Sequence, residues 1–149
     1  MRYLESKERG HNADRHILFI HGLGASADRW LDIPDALSMY YHTIAVDLIG
    51  FGGSDKPTDV NYTIGKFSEF ILEFIEKIGL RGVDRKITLV GHSLGGYIAV
   101  EFAMKNMAEI EKLVLLDSSG FLKGPTPLLT QYLNAAKYPT YDNVRTVFE

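Results

Sequence analysis

Gly91-His92-Ser93-Leu94-Gly95 sets a serine between two glycines at a spacing that suits nucleophilic catalysis. A serine hydroxyl is a weak nucleophile until a base takes its proton, and attack on a carbonyl also needs hydrogen-bond donors aimed at the oxygen that becomes charged. Glycine on each side serves a sharp strand-to-helix turn. The turn strains the backbone at Ser93, and flanking side chains would strike the turn itself and the neighbouring strand. A bare Gly-x-Ser-x-Gly pattern arises by chance in roughly 5% of chains this long, given ordinary glycine and serine usage, so the flanking segments decide its meaning. Here it joins the apolar run Ile87-Thr88-Leu89-Val90 to a helical pattern from Leu94 to Asn106, with Ile98, Ala99, Phe102 and Ala103 on one face. A helix starting at that point aims its first amides and the positive end of its dipole at the serine. The plainer alternative is a glycine-rich turn whose serine is incidental.

The segments around this motif alternate between strand and helix patterns, which predicts an α/β fold: a mainly parallel sheet with helices on both faces. Ile17-Leu18-Phe19-Ile20 is a short, wholly apolar run of the kind that is buried on both sides. Further strands are expected at Thr43–Asp47, Ile87–Val90 and Lys112–Asp117, while Arg2-Tyr3-Leu4 gives only a weak strand signal. Ser26 can cap a helix carrying Trp30, Ile33 and Leu37, with Pro34 predicting a kink or two short pieces. A loop rich in turn formers runs from Gly50 to Asn61. Thr63 or Gly65 then opens an amphipathic helix with Phe67, Phe70, Ile71, Phe74, Ile75 and Ile78 on its apolar face, and Gly79 ends it. Past Ser118-Ser119-Gly120 the pattern changes. Pro125, Pro127 and Pro139 punctuate two short helices there, which look like an addition to the sheet and not another strand of it.

In these motifs the chain resembles the α/β-hydrolase superfamily from about Arg15 to Gly120. His21-Gly22-Leu23-Gly24 looks like that family's His-Gly-x-Gly segment, Asp47-Leu48-Ile49-Gly50-Phe51-Gly52-Gly53-Ser54 looks like its Asp-x-x-Gly-x-Gly-x-Ser loop, and both precede the serine motif in the family's order. The resemblance implies Ser93 as nucleophile and the backbone amides of Leu23 and Leu94 as an oxyanion hole. It also implies that His21 and Gly22 organise the oxyanion loop, that His92 borders the pocket, and that Asp47 and Ser54 tie the second loop through backbone hydrogen bonds. Haloalkane dehalogenation is disfavoured, since that branch carries aspartate where Ser93 stands.

In this fold the order is serine, then Asp or Glu, then histidine. All five histidines (His11, His16, His21, His42 and His92) precede Ser93, so the family's triad is not completed within these residues. Asp117 is the one candidate acid, at a position used by a minority of the family. Residues 1–120 are therefore expected to form the N-terminal half of a hydrolase core, truncated after the strand that follows the elbow helix, and 121–149 the beginning of a helical lid. A sheet ending at Leu113–Leu116 would expose an apolar edge, from which aggregation or dimerisation is expected.

Bulk properties set the remaining limits. The chain of 149 residues is one domain's worth, 46% hydrophobic and 23% charged. With 16 basic and 19 acidic residues interspersed, it has no electrostatic footprint for nucleic acid or an anionic membrane, and a small-molecule substrate is the expected partner. The absence of cysteine removes thiolate chemistry, and the histidines show no metal-ligand spacing, so neither metal nor cofactor is expected. The charged start is unlike a signal peptide and no apolar run reaches membrane-spanning length, which makes a cytoplasmic location the default. Two other readings stand beside an esterase-like hydrolase. The fold also serves non-catalytic small-molecule binding proteins. Separately, Gly22-Leu23-Gly24-Ala25-Ser26-Ala27 after a strand, with Asp47 about 20 residues on, fits a dinucleotide-binding pattern, although that reading leaves the serine motif unexplained.

Overall fold

Ile17 to Ile20 is apolar at every position because its strand sits mid-sheet and is covered on both faces. The computed structural model describes residues 1–6, 15–80, 86–121 and 124–137. Strands β1 (Tyr3–Ser6), β2 (His16–Ile20), β3 (His42–Val46), β4 (Ile87–His92) and β5 (Ile110–Leu116) lie in the order β1-β3-β2-β4-β5. Pairing is parallel between β3 and β2, β2 and β4, and β4 and β5; β1 runs antiparallel along β3. The fold is thus α/β with a mostly parallel sheet, as the alternating patterns predict. The weak early strand is real and runs Tyr3–Ser6. Its exposed Tyr3 and Glu5 alternate with half-buried Leu4 and Ser6, the look of an edge strand with little apolar content to signal it.

The helices follow from local signals. Ser26 caps a single 3-10 turn, Ala27–Trp30, by accepting the Asp28 amide, and α1 (Asp32–Leu37) follows. The expected two pieces are present, but the break falls at Leu31 and not at Pro34. Pro34 sits in the first turn of α1, where a backbone N–H has no helical partner to lose. Helix α2 (Ile64–Lys77) starts at Thr63, whose Oγ1 accepts the Lys66 amide at 3.1 Å, and ends at Gly79 with φ +73°. Helix α3 (Leu94–Lys105) leaves β4 at Ser93.

Two apolar layers flank the sheet. On one face Leu18, Ile20, Ile44, Val46, Ile87 and Leu89 meet Phe67, Ile71, Phe74 and Ile75 of α2 and Ile98, Ala99 and Phe102 of α3. On the other, Ile17, Phe19, Ala45 and Val90 meet Ala27 and Trp30. Strand β5 is an edge strand, and its Leu113, Val114 and Leu116 are exposed. It starts at Ile110, so Glu111 and Lys112 put charge into its first half, more than the apolar run alone suggests.

Residues Met1–Ser119 form one compact unit and Gly120–Glu149 a second. In the second, α4 (Pro127–Lys137) begins after Thr126, whose Oγ1 accepts the Leu129 amide at 3.2 Å. The second helix expected in the tail, over residues 141–149, lies outside the described residues.

Candidate active site

The junction of β4 and α3 holds Ser93 at φ 52°, ψ −116°, a conformation that residues with a Cβ rarely adopt. Such strain persists only where the surroundings over-determine it, and here they do. The Ser93 amide donates to Leu116 O at 3.0 Å, and the Ser93 carbonyl accepts from Gly96 N at 3.0 Å, Tyr97 N at 3.2 Å and Ser119 N at 3.0 Å. Both flanking glycines are sterically required. A Cβ on Gly91 would lie 2.5 Å from Gly95 O, and one on Gly95 would collide with the carbonyl oxygens of Ile20 and His21. The elbow therefore bends tightly enough to press the start of α3 against the end of β2.

That contact brings the loop after β2 to the serine. A Cβ on Gly22 would lie 3.1 Å from Ser93 Cβ and 3.0 Å from His92 Nδ1, so Gly22, Ser93 and the His92 ring are mutual neighbours. Leu23 follows in this loop and Leu94 is the first residue of α3. Among the described residues no acceptor takes the amide of either one. The three residues at the bend and the loop beside it are thus assembled in one place, as the motif spacing requires.

His21 is fully buried and spends both ring nitrogens on backbone. Nδ1 lies 2.7 Å from Gly22 O and Nε2 lies 3.1 Å from Leu48 N. Because an amide nitrogen only donates, Nε2 must accept, so the ring is neutral with its proton on Nδ1. Burial holds its pKa below the ordinary value, with the Gly22 carbonyl and the charge of Asp47 pulling weakly the other way.

Asp47 fixes the second loop. Its buried carboxylate accepts Ala27 N on Oδ1 at 2.6 Å, and on Oδ2 it accepts Gly53 N at 2.6 Å and Arg2 Nη1 at 2.9 Å. Ser54 Oγ donates to Asp47 O at 2.7 Å and accepts the Arg2 amide at 2.8 Å. Burial raises the Asp47 pKa, but the two amides and the Arg2 guanidinium outweigh it and hold the group below the usual carboxylate range. A carboxylate buried this completely, with two backbone amides and a guanidinium on it, offers no accessible oxygen to a ribose, which removes the acid that dinucleotide binding needs. Arg2 escaped the sequence reading; a lone arginine before a weak strand carries no signal of its partner 45 residues on.

Asp117 follows β5 at φ 44°, exposed, and its carboxylate has no hydrogen-bond partner among the described residues. The residue of this turn that reaches Ser93 is Ser119, with Oγ 3.4 Å from Ser93 Oγ. Nothing in the sequence singles it out, because the approach depends on β5 lying beside β4. His16 and His42 stand at the opposite ends of β2 and β3 from Ser93, with their Nδ1 atoms 3.0 Å apart. Among the described residues there is no cluster of three or more metal-ligating side chains, and no helix is long and apolar enough to cross a membrane.

A mostly parallel sheet in which the interior strand β4 turns sharply into a helix at a strained serine is the frame of one class of α/β fold. A family model described as "alpha/beta hydrolase fold" matches residues 15–143, and the chain belongs to that family. It is 35% identical over 120 residues to Lipase 1 of Psychrobacter immobilis, covering 80% of this chain and 37% of that protein. It is 31% identical over 124 residues to the 2-hydroxy-6-oxo-6-(2'-aminophenyl)hexa-2,4-dienoic acid hydrolase of Metapseudomonas resinovorans, covering 81% of this chain and 40% of the relative. Among solved structures, a bacterial membrane phospholipase A superposes with a TM-score of 0.79 at 30% identity, covering 97% of this chain and 46% of that one. The chain thus spans less than half the length of each of these relatives.

Proposed function

We propose that the chain is the nucleophile-bearing part of a serine-dependent hydrolase that cleaves carboxylic esters, or related acyl or carbon–carbon bonds, in a small-molecule substrate. The observation that carries this reading is Ser93 at φ 52° beside Gly22, with the amides of Leu23 and Leu94 left without acceptors among the described residues. Ser93 Oγ attacks the substrate carbonyl carbon, its proton passes to a base, and the two amides receive the negative charge that builds on the carbonyl oxygen. The bond to the leaving group then breaks as that group takes the proton from the base, and water, giving a proton to the same base, attacks the acyl carbon and releases the acid while Ser93 Oγ regains its proton. The relatives support this assignment by their names: one is a lipase, one a phospholipase, and one a hydrolase of a dienoic acid.

The proton acceptor is the missing part. His21 has both nitrogens engaged, His16 and His42 stand at the far end of the strands, and the neighbouring His92 ring makes no hydrogen bond to Ser93 Oγ, whose side-chain partner among the described residues is Ser119. In this proposal the base is a histidine that follows Ser93 in the family's order, and none follows it in these 149 residues, so p-nitrophenyl acetate turnover by the 149-residue chain stays near background and does not change with Ser93→Ala. The site is tested by stoichiometric chemistry, in which hydroxide replaces the base. After prolonged incubation with a fluorophosphonate at alkaline pH, peptide mapping should find Ser93 modified ahead of every other serine. Modification spread evenly over the serines would reject the assignment. A non-catalytic binding protein is the second reading, favoured by the same lack of a placed base; it predicts ligand retention with no preference for Ser93.

A further inference from the structure

We infer that Ser119 is a positioning residue for Ser93: its hydroxyl selects the resting orientation of the Ser93 side chain, and the turn that carries it is the second support of the elbow. The inference rests on the reading of Ser93 as nucleophile.

Three contacts lock this turn against the elbow. The Ser93 amide donates to Leu116 O and the Ser119 amide donates to Ser93 O, each at 3.0 Å, so both backbone groups of the strained residue are held by one four-residue turn. Asp117 at φ 44° reverses the chain between these two anchors. Ser118 then packs on the first turn of α3: a Cβ on Gly96 would lie 2.5 Å from Ser118 Oγ, and that hydroxyl donates to Ser119 O at 3.0 Å. Ser119 is therefore held at its amide by Ser93 O and at its carbonyl by Ser118 Oγ, and this fixes the backbone from which its hydroxyl meets Ser93.

The two Oγ atoms lie 3.4 Å apart, longer than a strong hydroxyl pair. A contact of that length does not activate an alcohol, and Ser119 has no base beside it among the described residues. It can bias a choice among three staggered wells of Ser93 χ1, which differ little in energy when nothing else holds the hydroxyl. Orientation of a nucleophile is in turn a large part of its reactivity.

Two measurements on the full chain test this. In the wild type, three-bond couplings should report one dominant Ser93 χ1 well; Ser119→Ala should average it, and Ser119→Thr, which keeps a γ-hydroxyl, should restore it, with the thermal midpoint unchanged in both. The rate of Ser93 modification by the fluorophosphonate should fall by about threefold in Ser119→Ala and recover in Ser119→Thr, the size expected for a modest loss of orientation. Wild-type couplings in Ser119→Ala would overturn the inference whatever the reactivity of Ser93. Non-selective modification in the wild type would instead defeat the reading of Ser93 as nucleophile, and the couplings would still decide whether Ser119 orients it.

Discussion

The buried His21 imidazole accepts the Leu48 amide at 3.1 Å, so one neutral ring joins the loops that leave β2 and β3. Its other nitrogen donates to Gly22 O at 2.7 Å, next to the serine. Removing the ring strands a buried amide and a carbonyl, and His21→Ala should cost about 2–4 kcal/mol, from two lost hydrogen bonds and an unfilled cavity. The pH dependence has a definite sign. The unfolded histidine takes up a proton as pH falls through about 6.5, whereas the folded one, its pKa held down by burial, does not. Stability contributed by His21 is therefore full above that pH and is lost as pH falls from there through the folded value. Thermal midpoints of the wild type should drop between pH 7 and pH 5 more steeply than those of His21→Gln; parallel curves would refute this.

Asp47 acts on the opposite side of the same loops, and at lower pH. Its folded pKa is depressed, so its contribution is present above the unfolded carboxylate value of about 3.9 and disappears as pH falls below it. Asp47→Asn puts an NH2 where one carboxylate oxygen accepts, so either Ala27 N or the pair Gly53 N and Arg2 Nη1 loses its acceptor and faces another donor. It should be less stable at pH 7 by about 2–3 kcal/mol, the usual cost of breaking a buried charge-assisted set, with the deficit shrinking below pH 4. Denaturant titrations at pH 7 and pH 3 give both differences. A deficit of equal size at the two values would mean that shape and not charge holds the loop.

The features that sequence reveals here are those made by neighbours in the chain. The α2 face, the Thr63 cap, the apolar β2 run and the glycine spacing at Ser93 each depend on residues within a few positions, and each is found in the structure. What stayed hidden depends on pairing between distant strands. Arg2 reaches Asp47 only because β1 lies antiparallel on β3, and Ser119 reaches Ser93 only because β5 lies parallel to β4. Tyr3–Ser6 was faint for the same reason, since an edge strand needs few apolar residues and borrows its stability from the strand it joins.

Strain at the elbow predicts an inversion of the usual glycine penalty. At φ 52°, ψ −116° a Cβ is disfavoured, so Ser93→Gly should be more stable than Ser93→Ala by about 1–2 kcal/mol although glycine loosens the unfolded chain. Gly95→Ala should go the other way. Its methyl would meet two backbone carbonyls that cannot rotate aside, and a loss of about 3 kcal/mol or failure to fold is expected. Gly79→Ala is the control, strained at φ +73° but with nothing within 4 Å of its Cβ. It should cost only about 1 kcal/mol, and chemical denaturation of the four variants ranks them directly.

Asp117 separates two roles that its position alone leaves open, an acid for a base or the residue that turns the chain. The turn role depends on φ 44°, which aspartate tolerates better than most residues and glycine better still, while the acid role depends on a carboxylate that here has no hydrogen-bond partner among the described residues. Asp117→Gly should therefore keep the stability within about 1 kcal/mol and leave Ser93 the preferred site of fluorophosphonate modification. Asp117→Val should lose about 1–2 kcal/mol, since a β-branched residue is strained at positive φ, and with it some of that preference, because the turn holds Leu116 O and Ser119 N against the elbow. If Asp117→Gly and the near-isosteric Asp117→Asn both abolished the preference for Ser93 in a folded chain of unchanged stability, the residue would be acting through its carboxylate and not through the turn that φ 44° makes.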